Sequence, residues 1–351
     1  MELKKLPIGV HEFPDFHSDN LLYIDKTQHI HRLVTRGKYY FMSRPRRFGK
    51  SLLLSTLKCL FQGRKELFQG LWIEDKWDWS VSHPVLHLSF ISANTLELGI
   101  EKGIHKMLEG EAKKNQITLK ETSNGLCFQE LIHKIHEKQG KVVILIDEYD
   151  KAIVDYLDDK PKAYAHRDAL KSFYEVLKNN QEYIHFVFLT GVTKFSKVSL
   201  FSALNHLSDI SFSPDYNDLV GYTQQELEFY FKDYIVQSAS KLKMSEKTLL
   251  RDIKKWYNGY NWTGKNTLYN PFSILGFFQD SLFKNFWFST GTPTFLTVMA
   301  REQSFYDLDS VSARQTAFDS FDIDDLDPQA VMFQTGYLTI KNLMQGVVIL
   351  F

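Results

Sequence analysis

The chain has 351 residues, of which 42 are Lys or Arg and 42 are Asp or Glu, and 44% of the residues are hydrophobic. This composition excludes a disordered chain and a strongly basic nucleic-acid-binding protein, and the length predicts about two domains. The two cysteines, Cys59 and Cys127, are too few for a disulfide framework or a four-cysteine zinc site. We expect both to be buried thiols in a reducing compartment.

The N-terminal segment MELKKLPIGVHEF lacks the apolar stretch of a secretory signal. The sequence also has no run of about 18 apolar residues, which a membrane-spanning helix requires. These features predict a cytoplasmic protein that has no membrane partner.

Short apolar runs alternate with longer amphipathic stretches, a pattern typical of an α/β sheet covered by helices. The predicted strands are residues 38–43, 85–90, 142–147, 184–190 and 209–213. The predicted helices are residues 50–62, about 98–113, 128–138 and 166–179. Nearly continuous apolar runs such as VVILI suit parallel strands that are buried on both faces. The pattern predicts a doubly wound parallel sheet in a domain of residues 1–215.

After residue 215 the pattern becomes mainly helical. Residues 221–242 and 245–260 predict amphipathic helices, and Thr223 with Glu226 predicts a capping box. Residues 270–283 predict a helix with Pro271 at its first position. We expect a smaller, lid-like helical domain over residues 216–325.

The last residues have the pattern of a β-hairpin, with 335–340 and 346–351 as the paired strands. Residues 326–351 are therefore predicted to begin a further β-containing element. The chain ends at Phe351 inside an apolar strand, as a truncated protein would.

The segment SRPRRFGKS (43–51), placed between a predicted strand and a predicted helix, ends in the Gly-Lys-Ser of a P-loop. Gly49 would let backbone N–H groups approach phosphate oxygens, and Lys50, expected to face solvent, would reach the β- and γ-phosphates. Ser51 would ligate Mg²⁺ at the N-terminus of the helix. The candidate nucleotide-binding residues are Arg46, Arg47, Phe48, Gly49, Lys50, Ser51 and Leu52.

This loop departs from the general P-loop pattern at its beginning. Arg44 stands where the first glycine is expected, and Pro45 has no backbone N–H to donate. Arg46 and Arg47 add two cations, which either strengthen anion binding or fold over an empty site. A Gly-Lys-Ser tripeptide also occurs by chance, so the interpretation depends on the motifs around it.

A second motif, VVILIDE (142–148), places two carboxylates after a buried strand, as a Walker B motif does. Asp147 would hold Mg²⁺ through water, as the companion of Ser51, and Glu148 would polarise the attacking water. The alternative interpretation is a buried strand that merely ends in a polar turn. The spacing of the two motifs leaves room for an additional strand between them, as in P-loop ATPases with a catalytic glutamate.

The next predicted strand ends in TGVTK (190–194), which offers a third candidate. A polar side chain at this point would sense the γ-phosphate or the attacking water. Thr190 is the first choice for this catalytic position and Thr193 the second. The alternative is that the Thr190 hydroxyl only caps backbone groups.

Several long segments resemble the bacterial AAA-ATPase-like family, whose members commonly join a P-loop ATPase to a C-terminal PD-(D/E)XK nuclease domain. The resemblance extends from about residue 10 to about residue 341. It implies ATP binding, and the arginine-rich loop without a first glycine is the family's own form. The matching segments are YIDKT (23–27), RPRRFGKSLLLSTL (44–57), VVILIDEYDKAI (142–153), FLTGVTKFSKVSLFSALNHL (188–207), WYNGYNW (256–262), NPFSIL (270–275) and FWFSTGTPTFL (286–296).

The nuclease centre of such proteins needs an acidic residue and a (D/E)-x-K segment that together hold Mg²⁺. The segments EDK (74–76) and DDK (158–160) are poor candidates, because one lies in a Trp-rich loop and the other in a predicted solvated turn. A nuclease domain is therefore expected only after Phe351. His133 and His136 have helical spacing but lack the further ligands of a metal site.

The leading hypothesis is an ATP-binding and ATP-hydrolysing regulatory module that controls an attached or partner effector such as a nuclease, with ATP and Mg²⁺ as ligands. A second hypothesis is a non-catalytic nucleotide-binding or protein-interaction scaffold with a degenerate P-loop. A third is a nucleic-acid enzyme whose ATPase remodels its substrate. In the nucleic-acid enzyme hypothesis, residues 194–197 and the loop arginines would contact nucleic acid. In the ATP-hydrolysing module hypothesis, the same residues would form a positive rim around the nucleotide.

Overall fold

A computed structural model describes residues 3–194, 207–264, 266–287, 311–314, 327–344 and 347–350. Its centre is a parallel sheet of five strands in the spatial order β2-β3-β4-β1-β5. The strands are β1 (Tyr39–Ser43), β2 (Val85–Ser89), β3 (Val142–Asp147), β4 (Ile184–Gly191) and β5 (Ser208–Asp209).

Strand β4 lies between β1, which leads into the P-loop segment, and β3, which carries the second motif. It pairs with β1 through Met42 and Thr190, and with β3 through Ile146 and Leu189. The order confirms the predicted parallel sheet with an additional strand between the two motif-bearing strands. Since the carboxyl ends of parallel strands share one edge of a sheet, the predicted site residues lie at that edge.

Eight α-helices of the described residues precede or connect these strands. They are α1 (Phe13–Ser18), α2 (Thr27–Arg36), α3 (Lys50–Phe61), α4 (Thr95–Leu98), α5 (Ile100–Lys114), α6 (Asn124–Gln139), α7 (Lys151–Val154) and α8 (Lys160–Asn179). Helices α3 and α6 pack against β3, and α5 packs against β2. Cys59 on α3 and Cys127 on α6 are free and buried, as predicted.

Helices α6 and α8 and strand β5 differ in extent from the sequence prediction, and α6 begins at Asn124 instead of residue 128. Helix α8 begins earlier than predicted, because Asp159 caps the Lys162 N–H and Pro161 suits the first turn. The DDK segment therefore leads into a helix. Strand β5 has two residues only, because the chain turns at once through bonds from Ser211 N to Asp209 Oδ1 and from Ser213 N to Ile210 O.

The second half is mainly helical. Its elements are α9 (Gln224–Tyr230), α10 (Lys232–Lys241), α11 (Glu246–Tyr257), β6 (Asn258–Tyr260), β7 (Leu268–Tyr269) and α12 (Pro271–Asp280). The predicted single helix over 221–242 is two helices that meet at the buried Phe231, whose ring stacks on Phe278 at 5.1 Å. The capping box of Thr223 and Glu226 is present, and Pro271 is the first residue of α12.

The C-terminal elements are α13 (Pro328–Thr335) and an antiparallel sheet of β8 (Val311–Arg314), β10 (Val347–Leu350) and β9 (Ile340–Met344). Strands β9 and β10 pair directly, as a hairpin requires. The first hairpin strand begins later than predicted, because Thr335 still belongs to α13 and Gly336 ends that helix with a φ of 90°.

Buried side chains form two hydrophobic clusters. The larger cluster surrounds the central sheet and includes Trp262 and residues of α13, such as Val331. The smaller cluster joins helices α9–α12 to Leu22 and Ile24 of the N-terminal segment. The domain limits 1–215, 216–325 and 326–351 stay predictions. Among the described residues, every helix is too short or too polar to cross a bilayer.

Candidate nucleotide-binding site

A cavity of about 570 Å³ lies at the carboxyl edge of the sheet, within the size range of small-molecule sites. Its wall combines a polar and an apolar set of side chains, called here the polar and the apolar part. The polar part contains Arg46, Arg47, Lys50, Ser51, Glu148 and Lys151. The apolar part includes Pro7, Val10, Leu22, Ile24, Tyr222 and Leu275.

All seven residues that were predicted to bind nucleotide line this cavity, and so does Glu148. The loop enters α3 through Gly49, whose φ of 96° favours glycine. Helix α3 then begins at Lys50, so its first backbone N–H groups have no partners within the helix. Such a helix start beside a polar cavity wall can accept an anion.

Lys50 is buried in the loop and only 5% exposed, so the prediction that it faces solvent is wrong. Its ammonium donates hydrogen bonds of 2.9 Å to the carbonyl oxygens of Arg44 and Pro45. Burial lowers the pKa of Lys50, and the nearby Glu148 and Asp147 carboxylates oppose that shift. The loop backbone therefore holds this cation close to the carboxylates of the second motif.

Ser51, Asp147 and Thr190 form one hydrogen-bonded set at the end of the sheet. Ser51 Oγ donates to Asp147 Oδ2 at 2.6 Å, and Thr190 Oγ1 donates to Asp147 Oδ1 at 2.7 Å. Asp147 and Thr190 are buried and do not line the cavity, whereas Ser51 does. The Thr190 hydroxyl thus binds the carboxylate and not a backbone group.

Glu148 lines the cavity from the turn that follows β3. Its φ of 52° is left-handed, a conformation that costs a non-glycine residue about 1 kcal/mol or more. Burial raises the pKa of Glu148, while Lys50 lowers it and Asp147 raises it further. The carboxyl group thus lies in surroundings typical of a functional acid or base.

Asp150 was not singled out from the sequence, yet it organises the end of the sheet. Its buried carboxylate accepts bonds from Val192 N at 3.1 Å, Thr193 N at 2.7 Å and Thr193 Oγ1 at 2.6 Å. Burial raises the pKa of Asp150, and the Thr193 bonds oppose that shift. Thr193, the second-choice sensor, is therefore bound to Asp150 and lies outside the cavity wall.

Phe48 fixes the loop to the second half of the chain. Its buried ring packs against Tyr260 and Trp262, with centroid distances of 4.9 and 5.1 Å. A Cβ atom on Gly221 would lie only 2.6 Å from this ring, so glycine is required there. The Phe48 side chain therefore anchors the P-loop segment to the second half of the chain. The sequence alone does not predict this packing role.

The expected positive rim is not formed by Arg44 or Lys194. Arg44 is 1% exposed, lies 4.2 Å from the Trp262 ring centroid, and donates to the Ser211 carbonyl at 2.7 Å. Lys194 is buried and forms a 2.8 Å ion pair with Asp209. Residues 195–197 lie outside the described residues.

No local sequence pattern predicts the apolar part of the wall. It is built by the N-terminal segment and by residues that precede or begin α9 and α12, far from the P-loop in sequence. The segments YIDKT and NPFSIL were noted for their resemblance to the family, but no local pattern connects them to a binding wall. Only the folded chain brings them to the cavity.

Comparison with known proteins supports the nucleotide-binding interpretation. A family model described as "Predicted AAA-ATPase" matches residues 7–201, which contain the P-loop segment, β3 and β4. The chain is also 42% identical over 350 residues to the "Uncharacterized protein in vnfD 5'region" of Azotobacter chroococcum mcd 1. That similarity covers 98% of this chain and 66% of the relative, so the chain spans less than two thirds of the relative's length.

Proposed function

Because the chain belongs to the family of predicted AAA-ATPases, we propose that it binds Mg·ATP in the cavity and hydrolyses ATP slowly. The observation that carries the proposal is the meeting of Ser51, Asp147 and Thr190 in one hydrogen-bonded set beside Lys50. These residues come from three different elements, so their convergence is not a consequence of local sequence.

The oxygen donors of this set suit Mg²⁺, which prefers carboxylate, hydroxyl and water oxygens. Ser51 and Asp147 would hold the ion, because the Ser51 hydroxyl can donate to Asp147 and still offer a lone pair. Among the described residues, no group of three or more His, Cys, Asp or Glu side chains is arranged to hold a metal ion. When bound, the ion neutralises charge on the phosphates.

Lys50 and the start of α3 are proposed to bind the phosphates. Phosphate oxygens would replace the carbonyl oxygens of Arg44 and Pro45 as acceptors for the Lys50 ammonium. Hydrogen bonds between two charged groups are stronger than those to neutral carbonyls, so the exchange favours binding. The apolar part of the wall would then receive the adenine base.

Glu148 is proposed to orient the attacking water and accept its proton. Thr190 was predicted to sense the γ-phosphate or the water directly. Its bond to Asp147 supports a different role, in which Thr190 holds the metal-binding carboxylate in place. Asp150 supports the same region by tying the turn after β3 to residues 192–193.

The proposed cellular role is regulatory and cytoplasmic. Gly221, Tyr222 and Phe272 come from the helical half and line the same cavity as the P-loop. A bound nucleotide would therefore contact both halves and would change how they pack against each other. An attached or partner effector, such as a nuclease, would respond to that conformational change. The burial of Arg44 and Lys194 does not support the nucleic-acid-contact hypothesis.

Phosphate release by the purified chain tests the proposed activity. We expect ATP turnover that requires Mg²⁺ and stops when EDTA is added. If ATP binds but no phosphate is released above background, the binding-only scaffold hypothesis replaces the ATPase hypothesis.

The two loop arginines that line the cavity supply a test of phosphate recognition. We expect that Arg46→Ala or Arg47→Ala weakens ATP binding roughly three- to tenfold, because a charged donor to the phosphates is lost. The affinity for adenosine should stay unchanged in the same calorimetric titrations. Added salt should reduce the effect on ATP. If both ligands weaken equally, the arginines act through loop structure instead.

The raised pKa of Glu148 predicts a pH dependence of turnover. Glu148 accepts a proton only when it is ionised, so kcat/KM should fall as the pH drops through its pKa. Because burial raises that pKa, the fall should occur above about pH 4.3, the ordinary value for glutamate. A pH profile of the wild type that stays flat down to that value would be inconsistent with Glu148 as the base.

A further inference from the structure

Arg47 of the P-loop segment and Phe272 of α12 are in contact at the wall of the cavity. The Arg47 guanidinium carbon lies 4.8 Å from the ring centroid of Phe272, the second residue of α12. Both side chains belong to the cavity wall. A guanidinium at this distance over an aromatic face is attracted to the ring.

The Arg47 guanidinium has N–H donors that can bind a ligand. Within the described parts of the chain, it makes no hydrogen bond or ion pair, and it lies over the Phe272 ring. Stacking uses the face of the guanidinium, whereas its five N–H donors lie in its plane. These donors remain available to an anion while the ring holds the group in place.

The backbone on both sides of this contact is fixed. Arg47 has a left-handed φ of 65°, which is maintained beside the anchored ring of Phe48. Phe272 lies in a capped first turn, where Asn270 accepts a hydrogen bond from Ser273 N at 3.2 Å. The Arg47 side chain itself is exposed, and its contact with the Phe272 ring favours one position of the guanidinium.

We propose that Phe272 positions Arg47 to bind the nucleotide phosphates, so that α12 takes part in phosphate recognition through a loop arginine. This inference rests on the proposed ATP site. It assigns Phe272 a positioning role, because the Arg47 guanidinium lies over one face of its ring.

Calorimetric titration of the full chain with ATP and with adenosine tests this inference. Phe272→Leu keeps an apolar side chain but removes the π face, and should weaken ATP binding about two- to fivefold. Adenosine affinity should not change. Phe272→Tyr retains the ring and should bind ATP as the wild type does. In an Arg47→Ala background, Phe272→Leu should have no additional effect on ATP.

Two results would overturn the inference. Equal weakening of ATP and adenosine by Phe272→Leu would place the ring against the base. An undiminished effect of Phe272→Leu in the Arg47→Ala background would show that the two residues act independently. Failure of the proposed ATP site has a different signature, because the wild type itself would then not bind ATP.

Discussion

Glu148→Gln should lower ATP turnover by about 100-fold or more while the affinity for Mg·ATP stays close to that of the wild type. The substitution keeps the size and hydrogen bonding of the side chain but removes the negative charge that would accept a proton. Glu148 lines the cavity without belonging to the Ser51–Asp147–Thr190 set, so metal binding should persist. Steady-state phosphate release and calorimetric affinity, measured on the same samples, separate the two effects.

Asp147→Asn is the matched comparison, because it removes a neighbouring charge from the set that would hold Mg²⁺. We expect this variant to lose Mg²⁺-dependent ATP affinity as well as turnover. The two variants should therefore fail differently. If Glu148→Gln hydrolyses ATP at the wild-type rate, Glu148 is not the base, even when Asp147→Asn behaves as expected.

Lys50→Ala should weaken ATP binding by about 1.5–3 kcal/mol, the range for a hydrogen bond to a charged group. That corresponds to a loss of roughly 10- to 150-fold in affinity. The expected loss arises because Lys50 is the cation proposed to meet the β- and γ-phosphates. Calorimetric titration with ATP measures it directly.

Two controls accompany Lys50→Ala. Lys58→Ala removes a lysine from the last turn of the same helix, away from the cavity wall, and should leave ATP affinity unchanged. Thermal unfolding of Lys50→Ala is needed because the wild-type ammonium also binds two loop carbonyls. A folded Lys50→Ala variant with wild-type ATP affinity would refute the P-loop interpretation.

Strands β1, β3 and β4 of the central sheet could be predicted from the sequence because they are buried on both faces. Strand β3, for example, is buried at all six positions, and its first five residues form an uninterrupted apolar run. The P-loop segment and the carboxylates at 147–148 follow such runs directly. Their meeting at one edge of the sheet then follows from parallel strand order.

The contacts that shape the site depend on residues far apart in sequence, and no local pattern predicts them. The burial of Lys50 depends on how the loop folds back over its side chain. The bonds of Asp150 require β3 and β4 to lie side by side, and the Phe48 anchor requires Gly221 and Trp262. Phe231 separates α9 from α10 for a similar reason, since its ring packs into a tertiary cluster.

Equilibrium titration of ATP into the unmodified chain, with Mg²⁺ and then with EDTA, tests whether Lys50, Ser51 and Asp147 form one nucleotide and metal site. We predict saturable binding in both conditions, with tighter binding when Mg²⁺ is present, because Ser51 and Asp147 would share the ion with the phosphates. Absence of saturable binding in both conditions, or an affinity that Mg²⁺ does not change, would contradict the proposed site.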